Sequence, residues 1–168
     1  MGEDERSVTN VRIEPGKEER DVLASVTRET DGRFLLDRLR RGARRGRVFL
    51  AFAGPDPVGH VYLRLEEAEE PELRERLPKT PLIQRLRVRP EFRLQGVGSA
   101  LVAAAERGAL LGRRRRIALG VDVDQPEPIG FYLRIGYREW PYGKIETFND
   151  ETGEREFCRI FVKELRTG

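Results

Sequence analysis

The stretch Leu86-Arg87-Val88-Arg89-Pro90-Glu91-Phe92-Arg93-Leu94-Gln95-Gly96-Val97-Gly98-Ser99-Ala100-Leu101 decides the fold. A strand ends before Pro90, a turn with two glycines follows, and Val97, Leu101, Ala104, Gly108 and Leu111 then recur at helical spacing. The spacing predicts a helix of about four turns with small residues on its packing face and Gly112 as its C-terminal cap. At the start of such a helix several backbone N–H groups lack intrahelical partners. Glycines let an anion approach that backbone closely, and the helix dipole adds a favourable field. A pyrophosphate suits the turn. The dinucleotide fingerprint would put a third glycine where Leu101 stands, and a Walker loop needs Gly-Lys-Ser/Thr with no lysine near. Gly96 and Gly98 would serve tight helix–sheet packing equally well, so the glycines alone leave both readings open.

Upstream, residues 48–53 and 58–65 are apolar and rich in strand formers, joined by Gly54-Pro55-Asp56-Pro57 in a predicted hairpin. Residues 66–79 are acidic and bounded by proline, a loop with one helical turn expected near residues 72–76. Leu82–Val88 returns to strand. Residues 11–13 read as a first short strand, and Pro15 opens a charged helix to about Glu29 with Val22, Leu23 and Val26 as its apolar stripe. Phe34, Leu35, Leu36 and Leu39 mark a second helix, which gives way to the arginine-rich residues 40–47. Downstream, residues 117–123 read as strand, 129–135 as a short helix, and 137–140 as the start of the last β segment. Ile145–Phe148 and residues 157–162 flank a hairpin turn at residues 149–153. Residues 1–10 are expected to be a flexible tail and residues 11–168 a single domain, a mixed α/β sandwich around one sheet.

At 168 residues the chain can bury a core without staples. Lys+Arg number 32 against 29 Asp+Glu, so the net charge of +3 gives no concentrated basic face, and no nucleic-acid partner is expected. One cysteine, Cys158, excludes an intrachain disulfide and a cysteine cluster; its strand context favours a packed thiol over a nucleophile. One histidine, His60, excludes a histidine-rich metal site, so no metal is expected. No apolar run approaches the roughly 18 residues of a membrane span, and the N-terminus is charged, so no membrane association and a cytoplasmic location are expected.

Arg93-x-x-Gly96-x-Gly98, preceded by Leu86-x-Val88-x-Pro90 and followed by Leu101, resembles the acetyl-CoA motif of the GNAT N-acetyltransferase superfamily. Downstream, Gly130-Phe131-Tyr132-Leu133-Arg134-Ile135-Gly136-Tyr137 is similar to that family's Tyr-x-x-x-Gly-aromatic segment, and Val58-Gly59 in the hairpin is family-like. The strong part covers residues 48–137. The resemblance implies a GNAT-like fold: a mostly antiparallel sheet of six to seven strands, splayed at the acyl-CoA site and flanked by about four helices. It implies acetyl-CoA as co-substrate, an amine acceptor, direct attack in a ternary complex, and admits a homodimer.

Carried over position by position, the resemblance gives the CoA pyrophosphate to the amides of Arg93, Leu94, Gln95, Gly96, Val97, Gly98 and Ser99. Leu86 and Val88 would pair with the pantetheine arm as an added strand does, and Arg93 would offset phosphate charge. A strand N–H near Val88 would bind the thioester oxygen as its charge develops. Tyr132 occupies the position of the family's usual general acid, and a phenol is protonated at neutral pH. The competing role is a ring packed beside Phe131 with its hydroxyl satisfied elsewhere. The family often has asparagine and alanine where this chain has Gln125 and Pro128; glutamine keeps an amide on a longer arm, and proline suits a first helical turn.

The general base is unassigned, because Leu82–Val88 offers Gln84, Arg85 and Arg87 but no acid. Glu66, Asp122, Asp124, Glu127 and His60 are candidates, with His60 equally readable as an exposed strand residue. Residues 113–116 and 66–75 are charge runs read first as solvated segments. Residues 24–47, 66–80 and 140–154 would build the acceptor side, where Trp140 and Tyr142 with acidic neighbours would suit a cationic or ring-bearing acceptor. The missing base keeps a second reading alive, a catalytically silent acyl-CoA-binding sensor or regulatory module.

Overall fold

In the computed structural model, residues 10–148 and 153–166 are described. The order is β1 (Val11–Pro15), α1 (Glu19–Ser25), α2 (Glu29–Arg41), β2 (Gly46–Ala53), β3 (Asp56–Arg64), α3 (Pro71–Arg76), β4 (Leu82–Val88), a 3-10 turn (Pro90–Phe92), α4 (Val97–Leu111), β5 (Arg116–Asp122), α5 (Ile129–Arg134), β6 (Arg138–Glu139), β7 (Ile145–Phe148) and β8 (Arg155–Glu164). The strands form one sheet in the order β1-β2-β3-β4-β5-β8-β6, with β7 also on β8. It has eight strands rather than six to seven, because β6 contributes only a two-residue pairing, Arg138↔Val162 and Glu139↔Phe161.

Every neighbouring pair is antiparallel except β4 and β5. Those two run parallel and share a single residue pair, Leu82↔Ala118. Beyond it they diverge, and the sheet opens into a cleft. The helices cover both faces. On one, Leu101, Val102, Ala105 and Ala109 of α4 pack with Val61, Leu63, Ile117 and Phe161; on the other, Val22 and Leu35 close over Val48, Leu50, Phe52 and Tyr62. A smaller cluster joins Leu73, Leu82, Trp140, Ile145 and Ile160 under the β5–β8 half. Each Val, Leu, Ile or Phe side chain among these contributes about 1.5–3 kcal/mol when buried.

Two boundaries differ from the sequence reading. Pro15 ends β1 instead of opening a helix, and the first helix runs only over Glu19–Ser25, short of Glu29. Val26 turns extended (ψ 146°) and Arg28 starts α2, whose Gly32 lies against Leu23 and Val26. A Cβ there would meet both at ordinary contact distance, so the packing of α2 on the end of α1 accompanies the break without glycine being required for it. At the end of α4, Gly112 is the C-cap, as expected, and Arg113 after it takes the left-handed conformation (φ 63°). Arg113 N–H donates to the Leu110 carbonyl and Arg114 N–H to the Ala109 carbonyl, each at 2.9 Å, a Schellman closure with Gly112 at the cap and Arg113 at the left-handed position.

Candidate functional site

The cleft begins with β4. Arg89 N–H donates to the Val58 carbonyl across β3 at 2.8 Å, so by the alternation of an antiparallel ladder the amide and carbonyl of Val88 point the other way, into the gap. β3 approaches very closely here: a Cβ on Gly59 would lie 3.0 Å from the Arg87 carbonyl and 3.2 Å from Leu101, which is why glycine stands there. β4 also carries a bulge. The register shifts between His60 and Tyr62, so that Arg85 and Leu86 face the single residue Val61, and Arg85 sits at φ 58°.

The glycine turn lies beyond the strand. Gly96 is the N-cap of α4 at φ 82°, with open space where a Cβ would be, so backbone conformation and not crowding calls for glycine. The first helical bond is Ala100 N–H to the Gly96 carbonyl at 3.0 Å, and no side chain caps the helix. The amides of Val97, Gly98 and Ser99 therefore lack helical acceptors. Val97 itself is buried and offers only its backbone to the turn. Leu94 is fully exposed at φ 63°, and Gln95 Nε2 donates to the Glu91 carbonyl at 3.1 Å. Arg93 is exposed, and its Nε donates to the Val88 carbonyl at 3.2 Å, tying the turn back to the strand. Leu86 and Val88 are half-buried along the cleft edge.

Tyr132 on α5 lines a cavity of about 500 Å³ in the cleft, together with Leu86, Arg87 and Gln125. Its ring meets Phe131 and Tyr137 edge-on at 5.1 and 5.8 Å, but its hydroxyl has no hydrogen-bond partner among the described residues. Burial pushes the phenol up to about 12, against the opposing pull of the Arg87 guanidinium, so it stays protonated. Behind it, Tyr137 donates to Glu106 at 2.8 Å and Lys163 meets the same carboxylate at 3.1 Å, anchoring the end of α5.

The opposite wall of the cavity is assembled from distant segments: Phe34 and Arg38 of α2, Glu69 and Glu70 before α3, and Thr147 and Phe148 of β7. The run 66–75 is thus not simply solvated. Glu70 is half-buried, its Oε2 has no partner, and burial raises its carboxyl above the ordinary range, with the Glu69 charge adding to the rise. Gln84 Oε1 on the same cavity is likewise unpartnered. Trp140 and Tyr142 lie elsewhere, in a groove with Arg76 and Lys163, where Trp140 Nε1 donates to the Gly143 carbonyl and Arg76 stacks 3.8 Å from the Tyr142 ring. They do not meet the acceptor side of the cleft.

Of the base candidates from sequence, Asp122 lines the cavity but already accepts the Asp124 amide at 2.8 Å, and Glu66 pairs with Arg41 and Arg64. Asp124 and Glu127 are exposed and off the cavity. His60 is wholly buried, not exposed, and burial lowers it to about 4. Cys158 borders the cavity as a thiol kept protonated by burial. Sequence reasoning missed Asp31. It is fully buried and meets Arg85 Nη1 at 3.0 Å, Arg87 Nε at 3.4 Å and His60 Nε2 at 3.7 Å. An aspartate in the first turn of α2 reads as ordinary dipole compensation, so only the fold reveals its partners.

A family model described as the acetyltransferase (GNAT) family matches residues 16–137. No curated protein matches the sequence. Among solved structures, the ribosomal-protein-S18-alanine N-acetyltransferase of Escherichia coli aligns at TM-score 0.66 and 15% identity, covering 94% of this chain and 96% of that one. A GNAT family acetyltransferase from Elizabethkingia anophelis with acetyl-CoA bound aligns at TM-score 0.61 and 17% identity, covering 93% and 99%. An acetyltransferase from Streptococcus agalactiae aligns at TM-score 0.64 and 14% identity, covering 92% and 98%. No helix among the described residues is long and apolar enough to cross a membrane.

Proposed function

Because the chain belongs to the acetyltransferase (GNAT) family, we propose that it is an N-acetyltransferase moving an acetyl group from acetyl-CoA to a primary amine by direct attack in a ternary complex. The observation that carries this reading is a grouping of three features: the amides at the start of α4 that lack helical acceptors, the β4 edge that leaves β5 after one pair, and the protonated Tyr132 at the cavity. The residues fit the co-substrate. The pyrophosphate takes the amides from Gly96 to Ser99, pantetheine runs along Leu86 and Val88 as an added strand, and Gln125 meets its amides.

The chemistry then needs two proton movements. The neutral amine attacks the thioester carbonyl, whose developing charge is met by a cleft-facing amide near Val88. The C–S bond breaks, and the departing thiolate takes the Tyr132 proton. The new amide nitrogen loses its proton to Glu70, whose unpartnered oxygen and raised pKa suit a base better than any acid the sequence suggested. Solvent restores the phenol and removes the proton from Glu70. Incubation with acetyl-CoA and a panel of amines, following free thiol, tests the function: acceptor-dependent release is expected. Tight acetyl-CoA binding with no release across the panel would replace this reading with a silent acyl-CoA-binding module.

A further inference from the structure

The bulge in β4 leaves a half-buried residue, Arg85, with its main-chain carbonyl outside the regular ladder. His60 Nδ1 lies 2.8 Å from it. A carbonyl only accepts, so the imidazole proton sits on Nδ1 and Nε2 keeps its lone pair. Beside the imidazole, 3.7 Å from its Nε2, Asp31 of α2 reaches the two arginines that flank Leu86, at 3.0 Å for Arg85 and 3.4 Å for Arg87. Both Asp31 and His60 are completely buried, and neither belongs to the three features grouped above.

We propose that Asp31 and His60 are positioning residues, a buried lock that holds the bulge of β4 and so aims the amides that face the thioester; the inference rests on the acyltransferase reading. A bulge inserts a residue and bends its strand, so any freedom there rotates Leu86 and Val88 against the bound acyl group. His60 holds the bulge by the Arg85 carbonyl and Asp31 by the side chains of Arg85 and Arg87, two neighbouring anchors 3.7 Å apart. The imidazole faces Asp31 from α2 and Arg85 and Arg87 from β4, and desolvation outweighs the attraction of Asp31, keeping the ring neutral. It serves as a fixed donor and not as a base.

The chain has one histidine, so 15N NMR of the imidazole reads the lock directly. The neutral Nδ1–H tautomer is expected throughout about pH 6 to 8; the Nε2–H tautomer overturns the proposal whether or not any amine is acetylated. Two variants read its effect on catalysis. His60→Leu keeps bulk and removes the donor, and should lower kcat about tenfold or more with KM for acetyl-CoA little changed. His60→Asn places an amide donor where Nδ1 stands and should restore kcat to within about threefold of wild type. Asn as poor as Leu in folded protein, or Leu as active as wild type, overturns the lock. Should the Leu variant not fold, the tautomer and the Asn variant still decide. A wild-type chain that acetylates no amine would remove the functional reading, while the tautomer would still judge the lock.

Discussion

The two walls of the cleft are made of different material. The wall assigned to the donor is backbone: the open edge of β4 and the uncapped first turn of α4. The wall assigned to the acceptor is side chain: Phe34, Arg38, Glu69, Glu70 and Phe148, gathered from three separated segments. Backbone groups are present in every sequence, so the donor wall depends on where glycine permits a turn and where a strand lacks a neighbour. Side-chain groups depend on which residues the fold happens to bring together. The difference predicts that donor binding will tolerate most side-chain changes and that acceptor choice will not.

Tyr132 sits where the walls meet, and its loss should have the largest effect. Tyr132→Phe removes the proton for the thiolate while leaving the ring packed on Phe131 and Tyr137. A fall in kcat of about 100-fold or more is expected, with acetyl-CoA affinity unchanged; stopped-flow thiol release and calorimetry separate the two. Unchanged turnover would remove Tyr132 from the chemistry and leave the cleft a binding site only.

Ser99→Asp tests the donor wall alone. Ser99 is the third residue of α4, where a carboxylate stabilises a helix by about 0.3–1 kcal/mol, yet the same charge opposes a pyrophosphate. The expected result is a Kd for acetyl-CoA raised by about tenfold or more with Tm equal to or above wild type. Unaltered affinity would place the phosphates elsewhere and break the comparison.

The same contrast explains what the sequence disclosed. The strand Leu82–Val88 and the helix from Val97 follow from local pattern, and the structure has them at those residues. The exact bounds of the break at residues 26–28 did not, since no glycine or proline marks it. Asp31 and Glu70 were equally hidden. Each looks like an acid near a helix start until β3, β4 and the cavity supply its surroundings. Trp140 and Tyr142 misled in the opposite sense: their chemistry suited a binding site, but the fold sends them to another groove.

Glu70→Gln probes the acceptor wall. A kcat loss of about tenfold at neutral pH is expected, with affinity for acetyl-CoA intact. In wild type, activity should fall as pH drops through the raised pKa of Glu70, and this acid limb should vanish in the variant. Stability should move the other way. A carboxyl whose folded pKa lies above its unfolded value favours the fold below the unfolded pKa and loses that contribution as pH rises through the folded one. Glutamine is free of this penalty, so the variant should melt no lower than wild type at neutral pH. A lower Tm with unchanged kcat would make Glu70 a structural residue.

The smallest effect belongs to Tyr137→Phe. Tyr137 is buried behind Tyr132, and its hydroxyl donates to Glu106, which Lys163 also holds. Removing the hydroxyl leaves the carboxylate still paired, so the loss should be near that of one ordinary hydrogen bond, about 1 kcal/mol in urea unfolding. The ring stays, and with it the edge-on contact that positions Tyr132. Turnover should therefore change less than about threefold. A catalytic loss approaching that of Tyr132→Phe would mean that the proton reaches sulfur through Tyr137 and Glu106 as a relay, and the donor wall would then depend on side chains as much as the acceptor wall does.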